Sequence, residues 1–307
     1  MDASVGQEDA AFSFDLAGRV RNLSLPASAV NTLIPLFEAV SNALHAVDAR
    51  WGGRAAEVGQ VKIAILRREN DADANVIGFW VSDNGIGLTE ANWQSFRTSD
   101  SIFKASRGGK GVGRLSWLKA FGGCRVVSHY EENDVTYRRE FQFSLASPNP
   151  IQGHSMEMLA AAIPSGTEVR LEPFENHFEA HCPKKMSTIA AKLVGHFLPY
   201  LVVGKLPKVL LEDADGQYVE LGDFYGQNQR RNAVDVLNLK PDLLSEDQEF
   251  HVYHVLLKKQ LKFLESGLHW MFYAGNERVA ADSDEAARVH RSDAARRSNL
   301  MAPTILS

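Results

Sequence analysis

Val76-Ile-Gly-Phe-Trp-Val-Ser-Asp83-Asn-Gly85-Ile-Gly87 reads as a buried strand that ends on a carboxylate and passes into a tight glycine turn. The two glycines allow a backbone course that residues with a Cβ resist. An Asp-Asn-Gly turn joining a strand to a helix explains the same letters without a ligand, so the neighbouring segments decide. Just upstream, Val61-Lys-Ile-Ala-Ile-Leu alternates like a half-buried strand and is the expected partner. Just downstream, a short helix is expected over residues 89–96, with Thr89 as N-cap.

Further upstream, Val30, Leu33, Phe37, Val40, Leu44 and Val47 recur at helical spacing. Pro35 interrupts this run and starts a second helix, where its missing N–H costs nothing. Glu38, Asn42 and His45 fall on one stripe of that helix, which Trp51-Gly-Gly ends. Any amphipathic helix has a polar face, and that explains the stripe without chemistry. The chemical alternative is specific. An asparagine oxygen is a hard donor suited to Mg²⁺, and a glutamate one turn away can take a proton from a water attacking a terminal phosphate.

Downstream, residues 97–109 are polar and lead into Gly108-Gly-Lys110-Gly111-Val112-Gly113, which opens a helix expected over 111–121. Free backbone N–H groups and the helix dipole at such a start suit a phosphate, and Lys104 and Lys110 add charge. A P-loop requires Ser or Thr after the lysine, where Gly111 stands. A dinucleotide fingerprint requires a third glycine where Ser116 stands. Taken alone, the loop is also read as a flexible surface segment.

Strands are expected over 124–130, 135–144 and, after a polar connection, 166–171. The pattern lapses around 175–183, where a domain boundary is placed. Beyond it come a helix (186–197), a hairpin turning at Asp215-Gly216, strands near 250–257 and 269–274, and a solvated helix over 285–297. The chain has 307 residues, 45% hydrophobic and 23% charged, as in globular proteins. Its net charge of -5 supplies no whole-chain basic field for nucleic acid. Cys124 and Cys182 lack metal-ligand spacing, which argues against zinc or a disulfide framework. No apolar run reaches the ~20 residues of a membrane span. The acidic start is no secretory signal, and a cytoplasmic location is expected.

In this order, the segments resemble the GHKL ATPase superfamily (gyrase, heat-shock-90, histidine kinase, MutL) over residues 28–172. The resemblance implies an α+β fold, a two-layer α/β sandwich of the Bergerat ATP-binding type, followed by a smaller transducer-like α/β domain. The expected divisions are a tail at 1–27, an ATP-binding domain at 28–175 and a truncated transducer-like domain at 184–307. It implies ATP and Mg²⁺ as cofactors, slow hydrolysis, lid closure, homodimerisation on nucleotide binding and signalling to an effector protein. By resemblance Glu38 is the general base and Asn42 the magnesium ligand. Asp83 meets the adenine amino group, with Gly85 and Gly87 shaping the pocket. Lys104, Gly108, Lys110, Gly111, Val112 and Gly113 form the lid end at the phosphates. Thr167, in Ser165-Gly166-Thr167, bonds Asp83 or a bridging water.

Some positions depart from the pattern. His45 stands where many relatives carry aspartate, with Asp48 a further turn along, and Ser41 stands where gyrase-like members carry an acid. Residues 270–279 resemble a transducer strand and turn, with Lys205, Lys258 or Lys259 as the γ-phosphate lysine. The short N-terminal region argues against a histidine kinase, and Gly-Lys-Gly-Val-Gly-Arg argues against MutL. The nearer comparison is with MORC-like and chaperone-like stand-alone ATP-binding proteins. Two alternatives stay open: a non-catalytic nucleotide-binding switch, and the ATPase subunit of a DNA-associated machine. The last rests on Arg288, Arg291, Arg296 and Arg297.

Overall fold

The computed structural model describes residues 15–98 and 113–228, together with the strands Val236–Asn238, Asp242–Ser245, Gln248–Phe250, Tyr253–Val255, Trp270–Ala274 and Glu277–Asp282. Lys104, Gly108, Lys110, Gly111, Val112, Lys258, Lys259 and the expected helix over 285–297 lie outside the described residues.

In chain order the helices are α1 (Leu16–Arg21), α2 (Ile34–Trp51), α3 (Ala55–Val58), α4 (Glu90–Arg97), α5 (Leu115–Ala120), α6 (Asn176–Glu179), α7 (Met186–His196), α8 (Leu198–Val202) and α9 (Leu221–Asn228). The strands are β1 (Gln60–Arg67), β2 (Val76–Asp83), β3 (Cys124–Glu132), β4 (Val135–Phe143), β5 (Ile151–Leu159), β6 (Gly166–Leu171), β7 (Lys208–Glu212) and β8 (Tyr218–Glu220). These eight form one open sheet, ordered β5-β4-β3-β6-β2-β1-β7-β8. All neighbours are antiparallel except β1 and β7. The protein is thus a mixed α+β fold. No described helix is long and apolar enough to cross a membrane.

Strand alternation dictates a one-sided core. Leu211, Ile63, Val81, Val169, Val126 and Phe141 are register partners in a row across six strands, and all are buried. The next row, with Lys62, Ser82, Glu168, Val127 and Glu140, retains exposure. On the apolar face α2 buries Leu36, Phe37, Val40, Leu44 and Val47 and packs on β1, β2 and β6. Pro35 sits in the first turn of α2, as its fixed φ predicts, and Gly52 caps the other end at φ +54°. Thr89 caps α4 by accepting from Asn92 N at 3.4 Å.

Three features differ from the sequence reading. The expected tail at 1–27 holds α1, and Val20 and Leu25 are buried in the core because their apolar side chains pack there. The expected polar connection between the strands at 135–144 and 166–171 contains β5, the sheet's edge strand. Its exposed Met156 and Met158 and its mostly open residues give no alternation to read. The expected division at 175–183 does not separate two sheets: α6 occupies it, burying Phe178, and β7 then pairs with β1. Residues 184–228 continue the sheet and core of residues 28–175. The reason is the open edge of β1, whose apolar row is completed by Val209 and Leu211. Asp215-Gly216 forms the expected hairpin turn, with Gly216 at φ +79°.

Candidate functional site

The site is built along α2. Four residues at i, i+4 spacing make its stripe: Glu38, Asn42, Ala46 and Arg50. In the first half, Asn42 Nδ2 donates to Glu38 Oε1 at 3.1 Å, and both residues are half-buried. Helix α5 fixes what faces this pair. The buried Trp117 donates its indole N–H to Pro35 O at 3.0 Å, one turn before Glu38. That anchor sets Gly113, just ahead of α5, so close to Glu38 that a methyl there would collide with the carboxylate. A side chain at 113 would displace the Glu38 carboxylate from its present place.

The second half of α2 meets the glycine turn. Ile86 N donates to Ala46 O at 3.0 Å, and a Cβ on Gly85 would run into the Ala46 backbone. Gly87, at φ +76°, lies against His129 O with no room for a side chain. Asp83 closes β2, and its Oδ1 accepts from Gly85 N at 2.7 Å. Burial pushes the Asp83 carboxyl up to about 7, against the opposing pull of the Gly85 and Thr167 amides and the Arg50 charge. Gly166 passes directly behind Asp83 O, where a Cβ would clash.

The Thr167 backbone amide serves Asp83, while its hydroxyl lies 3.0 Å from Ser128 Oγ. The buried Ser128 also accepts from Leu88 N at 2.8 Å and donates to Gly166 O at 3.0 Å. Asn84, between Asp83 and Gly85, has a structural task. It bonds Gln60 N at 2.7 Å and Val58 O at 2.9 Å. The exit of the turn is held by the buried Arg139, which donates to Leu88 O at 3.2 Å and to Glu90 Oε2 at 2.7 Å.

The structure therefore brings Glu38, Asn42 and Gly113 together at one end of α2, and Asp83, Gly85, Gly87 and Thr167 together at the other. His45 is half-buried, and Asp48 accepts from Tyr200 OH on α8 at 3.4 Å. Lys205 is exposed in the turn after α8. No group of three or more His, Cys, Asp or Glu among the described residues is arranged to hold a metal ion.

Sequence reading missed Arg50, Trp51, Ser128 and Arg139. Arg50 was the accessible one, because it extends the Glu38–Asn42 stripe by two further turns. Ser128 and Arg139 reach the glycine turn and Thr167 only through strand pairing, which no local spacing encodes. Compared with protein-family models and with curated proteins, the chain matches none.

Proposed function

We propose that this site binds ATP with Mg²⁺ and hydrolyses it slowly, on a Bergerat-type sandwich of the GHKL kind. The observation that carries the reading is convergence on one helix. Three segments far apart in sequence, at residues 38–42, 83–87 and 113, meet along α2. In this reading Asp83, with Gly85, Gly87 and Thr167, receives the adenine, and Glu38 accepts the proton of the attacking water. The glycine run ending at Gly113, including Lys104, Gly108, Lys110, Gly111 and Val112, meets the phosphates.

The donor set suits magnesium. The side chain of Asn42 carries an amide oxygen, a hard donor of the kind Mg²⁺ takes, and its nitrogen donates to Glu38 Oε1. Mg²⁺ takes most of its other ligands from phosphates and water, so a cluster of protein carboxylates is not required. When bound, the ion would neutralise charge on the phosphates. Lid closure, homodimerisation and signalling to an effector through a transducer-like region belong to the same proposal.

Titration calorimetry with a non-hydrolysable ATP analogue tests it. Wild-type protein should bind the analogue with Mg²⁺, and Asn42→Ala should lose the Mg²⁺ dependence. Absence of binding by the wild type removes the reading.

A further inference from the structure

We propose that Arg50 is a positioning residue that sets adenine selectivity by locking the base-recognition turn to the helix bearing Glu38 and Asn42. This rests on the ATP reading and adds to it a residue that need not touch nucleotide.

The geometry is a single donor gathering three carbonyls. Arg50 Nη1 donates to Ser165 O at 2.7 Å, Asn84 O at 2.9 Å and Gly85 O at 3.4 Å. Those carbonyls belong to two separate stretches of chain. One is the turn just after Asp83, and the other leads into Gly166 and Thr167. Both stretches supply an amide to the Asp83 carboxylate, from Gly85 and from Thr167. Arg50 thus ties together the two backbones that hold Asp83.

Trp51 completes the clamp. Its indole N–H donates to Asn84 O at 3.0 Å, and the Arg50 guanidinium lies 4.5 Å from the Trp51 ring centroid. Stacking of this kind restrains an otherwise flexible arginine. The charge of Arg50 also favours the ionised Asp83, the form that accepts from an exocyclic amino group. The close approach has its own cause in the sequence. Ala46, one turn before Arg50, has too small a side chain to hold the turn away, and Gly85 has none.

The consequence concerns selectivity. A site that reads an amino group at the base discriminates through an acceptor held in position to receive it. Loosening the two backbones should weaken ATP far more than a nucleotide whose base offers no such donor. A lysine at 50 keeps a charged donor that can serve the same carbonyls, whereas methionine keeps the stem alone.

The experiment combines binding and hydrogen exchange on wild type, Arg50→Met and Arg50→Lys. The probes are a non-hydrolysable ATP analogue and its purine-riboside counterpart, whose base has no exocyclic amino group. Arg50→Met should lose about tenfold in ATP-analogue affinity, the scale of one lost charged hydrogen bond. Affinity for the purine-riboside analogue should hold, so the ratio of the two falls, and Arg50→Lys should restore most of it. In the nucleotide-free protein, amide exchange at residues 84–87 and 165–167 should accelerate in Arg50→Met. Equal losses for both nucleotides would reduce Arg50 to a stabilising residue and overturn the proposal. Unchanged exchange in those segments would overturn it as well, whatever the ligand. A wild type that binds neither analogue would instead sink the ATP reading itself.

Discussion

Asp83 stands at the end of a strand where burial favours its protonated form. Its folded value of about 7 lies above the ordinary 3.8. A raised carboxylate contributes stability that is fully present below the ordinary value and is lost as pH rises through the folded one. Unliganded protein should therefore weaken between about pH 4 and pH 8, by an amount on the order of a few kcal/mol from this group. Asp83→Asn should flatten that slope in denaturant titrations, and an unchanged slope would reject the assignment. Ligand binding runs the other way. An amino donor selects ionised Asp83, so analogue affinity should fall toward tenfold per pH unit below ~7. Gly113 makes a second residue-level case. Its missing Cβ is filled by the Glu38 carboxylate, the mobile end of a side chain. Gly113→Ala should shift that carboxylate and cut phosphate release by about tenfold or more, with a thermal midpoint changed by only a few degrees.

At the scale of elements, the contact between α5 and α2 sets the approach of Gly113 to Glu38 on which the proposed hydrolysis depends. Trp117→Phe removes the donor to Pro35 O while keeping an aromatic ring in the core. The expected cost is about 1 kcal/mol of stability. Turnover should fall more steeply than that, because Gly113 is no longer held against Glu38. Comparing unfolding midpoints with phosphate release separates the two effects. Elements with clear periodicity were legible in the sequence. The helix bearing Glu38 and Asn42, and the strands at 61–66 and 76–81, follow from apolar spacing, and Thr89 caps α4 as its side chain predicts. Strand β5 was not legible, since an edge strand with Met158 at 71% exposure has no buried face to alternate with. The hairpin of β7 and β8 was legible, but its place beside β1 was not. Parallel pairing across 148 residues depends on matching surfaces, and no spacing records that. The same reason hid Ser128 behind Thr167, while the polar residues of α2 were visible as a stripe.

At the scale of the whole molecule, described residues 15–98 and 113–228 share one sheet and one core, and a buried ion pair joins β1 to the end of β7. Arg67 at the end of β1 bonds Asp213 Oδ1 at 2.5 Å and Oδ2 at 2.7 Å, and also reaches Ala74 O and Lys184 O, each at 2.7 Å. Its side chain is 1% exposed. Although burial opposes it, the Arg67 hydrogen bond holds the Asp213 carboxyl below its ordinary range. Removing one partner strands a buried charge, so Asp213→Ala should cost about 3–5 kcal/mol. Calorimetry should show the sheet still melting as one unit. A separate early transition for residues 184–228 would contradict a shared core. The central claim, that α2 gathers a working ATP site, meets its most direct test in Glu38→Ala. Phosphate release and analogue binding should be measured side by side in wild type and variant. The account predicts slow, Mg²⁺-dependent release by the wild type, and a variant that binds the analogue within about threefold of wild type yet releases no phosphate. Equal turnover in the two proteins, or a wild type that neither binds nor hydrolyses ATP, would contradict it.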